Sequence, residues 1–231
     1  ICPSNWLADK VRQSSLLRHL KTVVIPNPAP LSEFQLVNKR VARLRLGLPI
    51  NKKYILFGAD SVSNKRKGGS ILLESLRRFG KYSSAANVQI LFFGDNPFEV
   101  PFPSHAFGKV SSSEQLSLIY SAADVFAFPS LEDNSPLTVM EALLCGTPVV
   151  GFPVGNVPEL LSDPSCGSIA KYADAEDFAA GLASILSETD NISTLRRSIK
   201  CRQVVKCLHD PLLSAHAHLN LYNSVLQSRT S

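Results

Sequence analysis

No stretch of this chain approaches the ~20 consecutive apolar residues that a membrane-crossing helix needs, and no secretory leader is legible at its start. Cysteine is sparse: Cys2, Cys145, Cys166, Cys201 and Cys207 make an odd count without metal-ligand spacing. That argues for a reducing compartment and against a disulfide framework; Cys145, in an apolar helix end, reads as a small buried thiol. The five histidines (His19, His105, His209, His216, His218) are not spaced as a metal site, and structural or exposed roles are expected of them. His216 and His218, two apart, would face different sides of a helix. Absent too are a G-x-G-x-x-G fingerprint, a Walker A lysine motif and an Asp-x-Asp metal pair. Basic and aromatic residues do not interleave, and no recognition-helix motif stands out, which excludes a nucleic-acid partner.

What is present is ordinary globular chemistry. At 231 residues the chain can bury roughly 70% of its unfolded surface, enough for one large domain, or one domain plus pieces of another. It opens Ile1-Cys2-Pro3 rather than with Met, so it reads as a fragment or a processed piece, with upstream localisation signals out of view. The net charge of +5 gathers at Lys65-Arg66-Lys67, Arg77-Arg78-Lys81 and Arg196 to Lys206. The last two clusters read as solvated helix faces; a basic surface of this kind also admits anionic ligands or peripheral contact with an anionic membrane.

Hydrophobic periodicity divides the chain. Residues 4–20 read as a helix capped by Ser4 or Asn5, and Thr22 to Ile25 as a short strand stopped by Pro26-Asn27-Pro28-Ala29-Pro30, the best linker candidate. A basic helix is expected over Ser32 to Leu46, ended by Gly47 and Pro49. Strands then alternate with helices: strands at Tyr54–Phe57, Val88–Phe93, near Ala106-Phe107, Val125–Phe128, Val149–Phe152 and Gly167–Ala170; helices at Gly69–Phe79, Ser113–Ala122, Pro136–Cys145 and Asp174–Ser187, with a turn at Glu159–Leu161. Asp174 is the expected cap of the last helix. The tail, 191–227, reads as two helices broken at Asp210-Pro211. Strands apolar on both faces, each followed by a helix, indicate an α/β fold with a doubly wound parallel sheet.

Chemistry concentrates at strand ends, where open α/β sheets bind ligands. After Val125–Phe128 comes Leu131-Glu132-Asp133-Asn134-Ser135-Pro136. Ser135-Pro136 suits an N-cap followed by Pro at the first helical position. The free amides of Leu137 and Thr138 and the helix dipole would then form an anion site, unless Ser135 itself caps them. Glu141 stands six residues on, about 9 Å down the helix: it either grips ribose hydroxyls or is a plain exposed helix residue. Asp133 either caps the helix or faces a sugar. The loop Gly58 to Gly69 carries Lys65, Arg66 and Lys67, either a diphosphate site with Gly68-Gly69 allowing close backbone approach or a basic surface loop. Gly94-Asp95-Asn96-Pro97 and Gly155-Asn156-Val157-Pro158-Glu159, taken singly, read as turns.

Together these segments resemble the C-terminal half of family-4 retaining glycosyltransferases of the GT-B fold. The likeness runs from about Ser4 to Tyr222. It is most specific in Tyr120-x-x-Ala123-Asp124, Pro129-Ser130, Asp133, Glu141, Cys145-Gly146-Thr147-Pro148-Val149-Val150, Gly155-x-x-Pro158-Glu159-Leu160 and Lys67-Gly68. It implies that residues 1–30 end a mostly absent N-terminal acceptor domain, that 31–208 bind a nucleotide sugar in a Rossmann-like domain, and that 209–231 return toward the N-terminal half. The resemblance implies that Lys67 neutralises the donor diphosphate and that the amides around Ser135, Leu137 and Thr138 bind the same phosphates. It further implies that Glu141 holds the ribose and that Asp133 faces the transferred sugar. Further donor contacts are implied at Gly58, Lys65, Arg66, Gly94, Val110 and Asn134. The partners implied are a nucleoside-diphosphate sugar and a saccharide or lipid-linked acceptor, without cofactor or metal, in a cytoplasmic protein working in polysaccharide or glycoconjugate synthesis, in solution or at the inner membrane face. Three positions depart from the family: Asp133 for the usual Glu, Ala59 where an Arg is frequent, and Pro136 where relatives often have Gly. A sugar-nucleotide epimerase of the same architecture, or a non-catalytic nucleotide-binding or interaction module, are the alternative readings.

Overall fold

The computed structural model describes residues 1–59, 64–95, 98–188 and 191–227. Asp60 to Ser63 of the basic loop and Asn96-Pro97 of the Gly94 loop lie outside the described residues. Helices α1 (Asn5–Gln13) and α2 (Lys39–Arg45) precede β1 (Lys53–Ala59), α3 (Gly69–Phe79), β2 (Val88–Gly94), β3 (Ser104–Ala106) and α4 (Ser113–Ala122). There follow β4 (Val125–Phe128), α5 (Leu137–Leu144), β5 (Val149–Gly151), α6 (Val157–Leu160), β6 (Gly167–Ile169), α7 (Ala175–Ser187), α8 (Asn191–Leu208) and α9 (Pro211–Gln227). None of the described helices is long and apolar enough to cross a membrane.

The six strands form one sheet in the order β3-β2-β1-β4-β5-β6, and every pairing is parallel. The helical crossovers lay their helices on the faces of the sheet, whereas β2 passes to β3 without a helix among the described residues. The crossover through α3 runs toward one edge and that through α5 toward the other, so the two helices take opposite faces. α3 packs on α7, while α2, α4, α5 and α8 pack together in series. Buried on both faces, the central strands are continuously apolar: Tyr54 to Phe57 and Val125 to Phe128 have almost no exposed surface. The order reverses direction between β1 and β4, which places a topological switch point, and hence a ligand crevice, between the loops that follow those two strands.

Four expectations change. The first helix is capped by Ser4, whose hydroxyl accepts from the Leu7 amide, but it ends at Gln13 rather than at residue 20. Leu16 and Leu17, beyond that end, are exposed. The strand at Thr22 to Ile25 shrinks to a single bridge between Cys2 and Val24. The helix expected from Ser32 starts only at Lys39, after an Asn38 cap that accepts from the Arg40 and Val41 amides. The residues before it are pinned by tertiary bonds: Phe34 is buried, and the Gln35 and Val37 amides donate to the Ser117 and Ser121 hydroxyls. Finally, the Arg196 to Lys206 stretch is not only a solvated face. Arg202 donates to the carbonyls of Phe34 and Leu144 at 2.8 and 2.7 Å, and Arg197 pairs with Glu188.

The amino ends of β1 and β4 are locked by charge. Asp124 accepts from Lys39 Nζ at 2.8 Å, Arg43 Nη2 at 2.7 Å and the Tyr54 amide at 2.7 Å. Burial would lift the Asp124 carboxyl, but the two cations hold it below its ordinary value. Arg43 also donates to the Ala122, Ile50 and Lys52 carbonyls. Each of its three guanidinium nitrogens is thus hydrogen-bonded, as a buried charge requires.

Candidate functional site

The switch point brings the basic loop and the acidic loop together. Residues 65–67 form a single 3-10 turn, capped at its start by the Asn64 side chain. Gly68 ends the turn at φ +71°, and a Cβ there would lie 1.9 Å from the Pro129 carbonyl oxygen; only glycine meets both demands. The Leu131 amide donates back to the Arg66 carbonyl at 2.8 Å. Thus the turn after β1 is fastened to the loop after β4. Lys67 Nζ consequently reaches Asp133 Oδ2 at 3.2 Å, an ion pair that keeps about a third of the lysine side chain in solvent. Lys65 and Arg66 lie exposed on the outer side of the turn.

The acidic loop is pressed from its other side by the loop after β5. Gly155 sits at φ +57°, and a Cβ there would meet the Asp133 and Asn134 carbonyl oxygens at 2.8 Å. Its neighbour Asn156, buried, donates to Ser135 Oγ at 3.3 Å. The expected cap is therefore displaced by one residue: Pro136, not Ser135, occupies the N-cap of α5, and no side chain caps the helix. Ser135 is taken up by Asn156, and proline has neither a donor nor a polar side chain. The first amides of α5, at Leu137 and Thr138, so keep the partial positive charge of an open helix start. They follow Asp133 by four and five residues.

Glu141 lies one turn beyond Leu137 on the same face of α5. Its Oε2 accepts from the Tyr120 hydroxyl at 2.9 Å. Glu141 and Leu137 line a cavity of about 670 Å³ whose far wall is the Pro30, Leu31, Glu33 and Phe34 segment. Glu141 is thus half-buried over a cavity, not a plain exposed helix residue. Gly58 and Gly94 stand near the carboxyl ends of β1 and β2. A side chain at Gly58 would collide with the Phe93 ring, so this glycine serves sheet packing. The Gly94 amide donates to the Gly108 carbonyl at 2.8 Å, tying β2 to the loop that carries Val110; Val110 is half-buried against the core.

Three participants escape sequence reasoning. Tyr120 enters the sequence reading only within the Tyr120-x-x-Ala123-Asp124 motif, with no role; it is buried, and its hydroxyl meets Glu141. Asn156 reads as a turn residue. His209 joins the two ends of the chain: Nδ1 bonds the Asn27 carbonyl at 2.8 Å, and Nε2 faces Asn156 Nδ2 at 3.1 Å. With Nδ1 donating to the carbonyl, Nε2 is the acceptor of the Asn156 amide. Burial pushes the imidazole below its ordinary value, partly opposed by the Asn27 carbonyl and Glu159. The only sequence signal for these contacts is the polar residue type at otherwise apolar positions. Cys145 is buried as expected, its thiol pushed up to about 12 by desolvation.

Comparison with known proteins bears on the family and the fold. A family model described as "Glycosyl transferases group 1" matches residues 52–188. A D-inositol 3-phosphate glycosyltransferase of Segniliparus rotundus is 27% identical over 192 residues, covering 77% of this chain and 42% of the relative. One from Mycolicibacterium vanbaalenii is 40% identical over 76 residues, 33% of this chain and 17% of the relative. Among solved structures, a sucrose-phosphate synthase from Thermosynechococcus elongatus superposes with TM-score 0.78 at 23% identity, covering 98% of this chain and 58% of that one. Anabaena HepE, solved in complex with UDP and glucose, superposes with TM-score 0.74 at 18% identity, covering 96% and 62%. The fold is that of the Rossmann-like half of GT-B glycosyltransferases, and the chain spans about two fifths of the length of the first of these relatives. Through the matched segment, which holds every strand from β1 to β6, this chain belongs to the group 1 glycosyl transferases.

Proposed function

We propose that this chain is the donor-binding half of a retaining glycosyltransferase that takes its sugar from a nucleoside diphosphate. The observation that carries the reading is the Lys67–Asp133 pair across the switch point, with the uncapped α5 start beside it and Glu141 one turn further on. A diphosphate in this crevice would receive the Lys67 ammonium and the α5 amides. Its ribose would extend toward Glu141, and the transferred sugar would face Asp133. The step itself breaks the bond between the anomeric carbon and the diphosphate oxygen and forms a bond to an acceptor hydroxyl oxygen, whose proton leaves with the departing nucleoside diphosphate. Charge develops on the departing diphosphate, so positive groups held in place before reaction lower the barrier. Lys67 and α5 supply that field in this reading, with no metal assigned a role. HepE, solved with UDP and glucose, supports the ligand class by its likeness in fold.

The acceptor half belongs, in this proposal, to polypeptide beyond this chain. The exposed apolar residues of α9, Leu212, Leu213, Leu219, Tyr222 and Leu226, form the kind of face that such a half would cover. The test is thermal shift of this chain with UDP, GDP and ADP and their sugar conjugates. One of them, at a hundredfold excess over its Kd, should stabilise by about 2.7 kcal/mol, or roughly 5–10 °C at this size. At the same ligand concentration the shift should fall to about half or less in Lys67→Ala and Glu141→Ala, as a tenfold or larger loss of affinity requires. No response to any nucleotide would sink the reading and favour a non-catalytic interaction module.

A further inference from the structure

We infer that Tyr120 is a positioning residue for the donor ribose: it aims the Glu141 carboxylate into the cavity beside α5 and thereby sets discrimination for the ribose hydroxyls. The inference rests on the ribose role proposed above for Glu141. A glutamate side chain has three torsions and no fixed direction of its own. Here one oxygen is held from the protein side, by the Tyr120 hydroxyl at 2.9 Å. The phenol itself cannot wander. Its ring is fully buried and meets Phe34, Phe93 and Phe126 edge-on at centroid distances of 6.2, 5.4 and 5.5 Å. Its backbone carbonyl is held by Thr147 Oγ1 at 2.6 Å. Helix α4 and helix α5 thus carry the two halves of one hydrogen bond.

The bond has one direction. Burial, and then the charge of Glu141, push the Tyr120 hydroxyl well above its ordinary value, so it remains an O–H and donates. A carboxylate anchored by such a charge-assisted bond is oriented before the ligand arrives, and a preorganised acceptor loses less on binding. Phe34 gives the arrangement a second consequence. It touches Tyr120 and also lines the cavity over Glu141, so the ring that steadies the phenol also shapes the space for the nucleoside.

The experiment compares two ligands on each protein. The nucleoside diphosphate that stabilises the chain most, of UDP, GDP and ADP, is titrated calorimetrically beside its 2′,3′-dideoxy counterpart. Wild type should prefer the hydroxylated ligand by about tenfold or more, the scale of a hydrogen bond to a charged group. Tyr120→Phe keeps the ring and its packing. It should weaken the hydroxylated ligand about fivefold or more, leave the dideoxy ligand within about twofold, and so shrink the preference. In a Glu141→Ala background the same substitution should change neither ligand, because Tyr120 acts through Glu141. A merely structural role would weaken both ligands alike, so the ratio stays readable even in a destabilised variant. Should Tyr120→Phe fail to fold, 3-fluorotyrosine at position 120 preserves ring and hydroxyl, and its stronger O–H donor should shift the ratio upward. A wild-type ratio in Tyr120→Phe, or in the fluorinated protein, together with a collapsed ratio in Glu141→Ala, overturns the role of Tyr120 and leaves the ribose role of Glu141 standing. An unchanged ratio in Glu141→Ala overturns that role, and the inference with it.

Discussion

Lys67 and Asp133 should respond in opposite directions to a sugar-free nucleoside diphosphate. In the unliganded chain they pair at 3.2 Å with about 33% and 21% of their side chains exposed. A pair this open contributes only about 0–1 kcal/mol to stability, so removing either partner should shift Tm by no more than about 4 °C. Binding raises the stakes. The Lys67 ammonium exchanges a lone carboxylate for a diphosphate, and a hydrogen bond to such a charged acceptor contributes about 1.5–3 kcal/mol. Lys67→Ala should therefore weaken UDP, or whichever nucleoside diphosphate the chain prefers, by about 10- to 150-fold. Asp133→Asn removes a competitor for Lys67 and a negative charge beside the phosphates. It should tighten the same ligand about two- to fivefold, the scale of an exposed pair, while weakening the sugar-bearing donor that Asp133 would face in the proposed reading. Titration calorimetry at two ionic strengths reads both effects; near 1 M salt, where the Debye length is about 3 Å, the Asp133→Asn gain should shrink. Lys67→Ala within twofold of wild type, or Asp133→Asn weaker for the sugar-free ligand, would refute this account of the crevice.

Two further predictions concern the frame that holds the site. Asp124→Ala strands Lys39 and Arg43 and orphans the Tyr54 amide, which should cost about 3–5 kcal/mol and lower Tm by roughly 6–20 °C; a calorimetric loss under about 1 kcal/mol would contradict it. The native Asp124 carboxyl sits below its ordinary value. Its stabilisation is therefore present above about pH 4, the unfolded value, and is lost as pH falls through the lower native one, because the unfolded state then binds more protons. The acid limb of the wild-type stability curve should flatten in Asp124→Asn. At the other end of the sheet, Gly68→Ala places a Cβ 1.9 Å from the Pro129 carbonyl at φ +71°. It should displace the turn that carries Lys67, weakening nucleotide binding about tenfold or more at a stability cost of about 1–2 kcal/mol. Wild-type affinity in Gly68→Ala would show that the turn does not set Lys67.

How much of this was legible depends on how local each determinant is. Helices Gly69–Phe79 and Ser113–Ala122 and strand Val125–Phe128 follow from period and caps alone, and the structure returns the same bounds. The Ser112 hydroxyl caps α4 and the Asp174 carboxylate caps α7, each two or three residues from its partner amide. Legibility fails where a distant group overrides the local pattern. Residues 32–38 have helical composition, but the Ser117 and Ser121 hydroxyls, 82 and 84 positions away, take up the Gln35 and Val37 amides. Ser135 looks like a cap until Asn156, 21 positions away, engages its hydroxyl. The acidic and basic loops could each be placed at a strand end. Their meeting required the sheet order, because β1 and β4 are neighbours only through the long crossover back from β3.

That order also explains why similar charges do different work at the two ends of the same strands. At the amino ends, Lys39 and Arg43 converge on Asp124, and Arg43 is further matched by three carbonyls. Such a cluster fixes where β4 sits beside β1 and offers little to a ligand. At the carboxyl ends, Lys67 has among the described residues one partly buried carboxylate at a longer distance, preceding a helix start that no side chain caps. An anion can compete for that lysine and for those amides at small cost. The closed cluster holds β1 and β4 in register so that the open one, a strand's length away, is already assembled when a diphosphate arrives; loosening the first should therefore weaken the second. Asp124→Ala, below its own melting transition, should bind the nucleoside diphosphate measurably less tightly than wild type, although Asp124 lies at the far end of the strands.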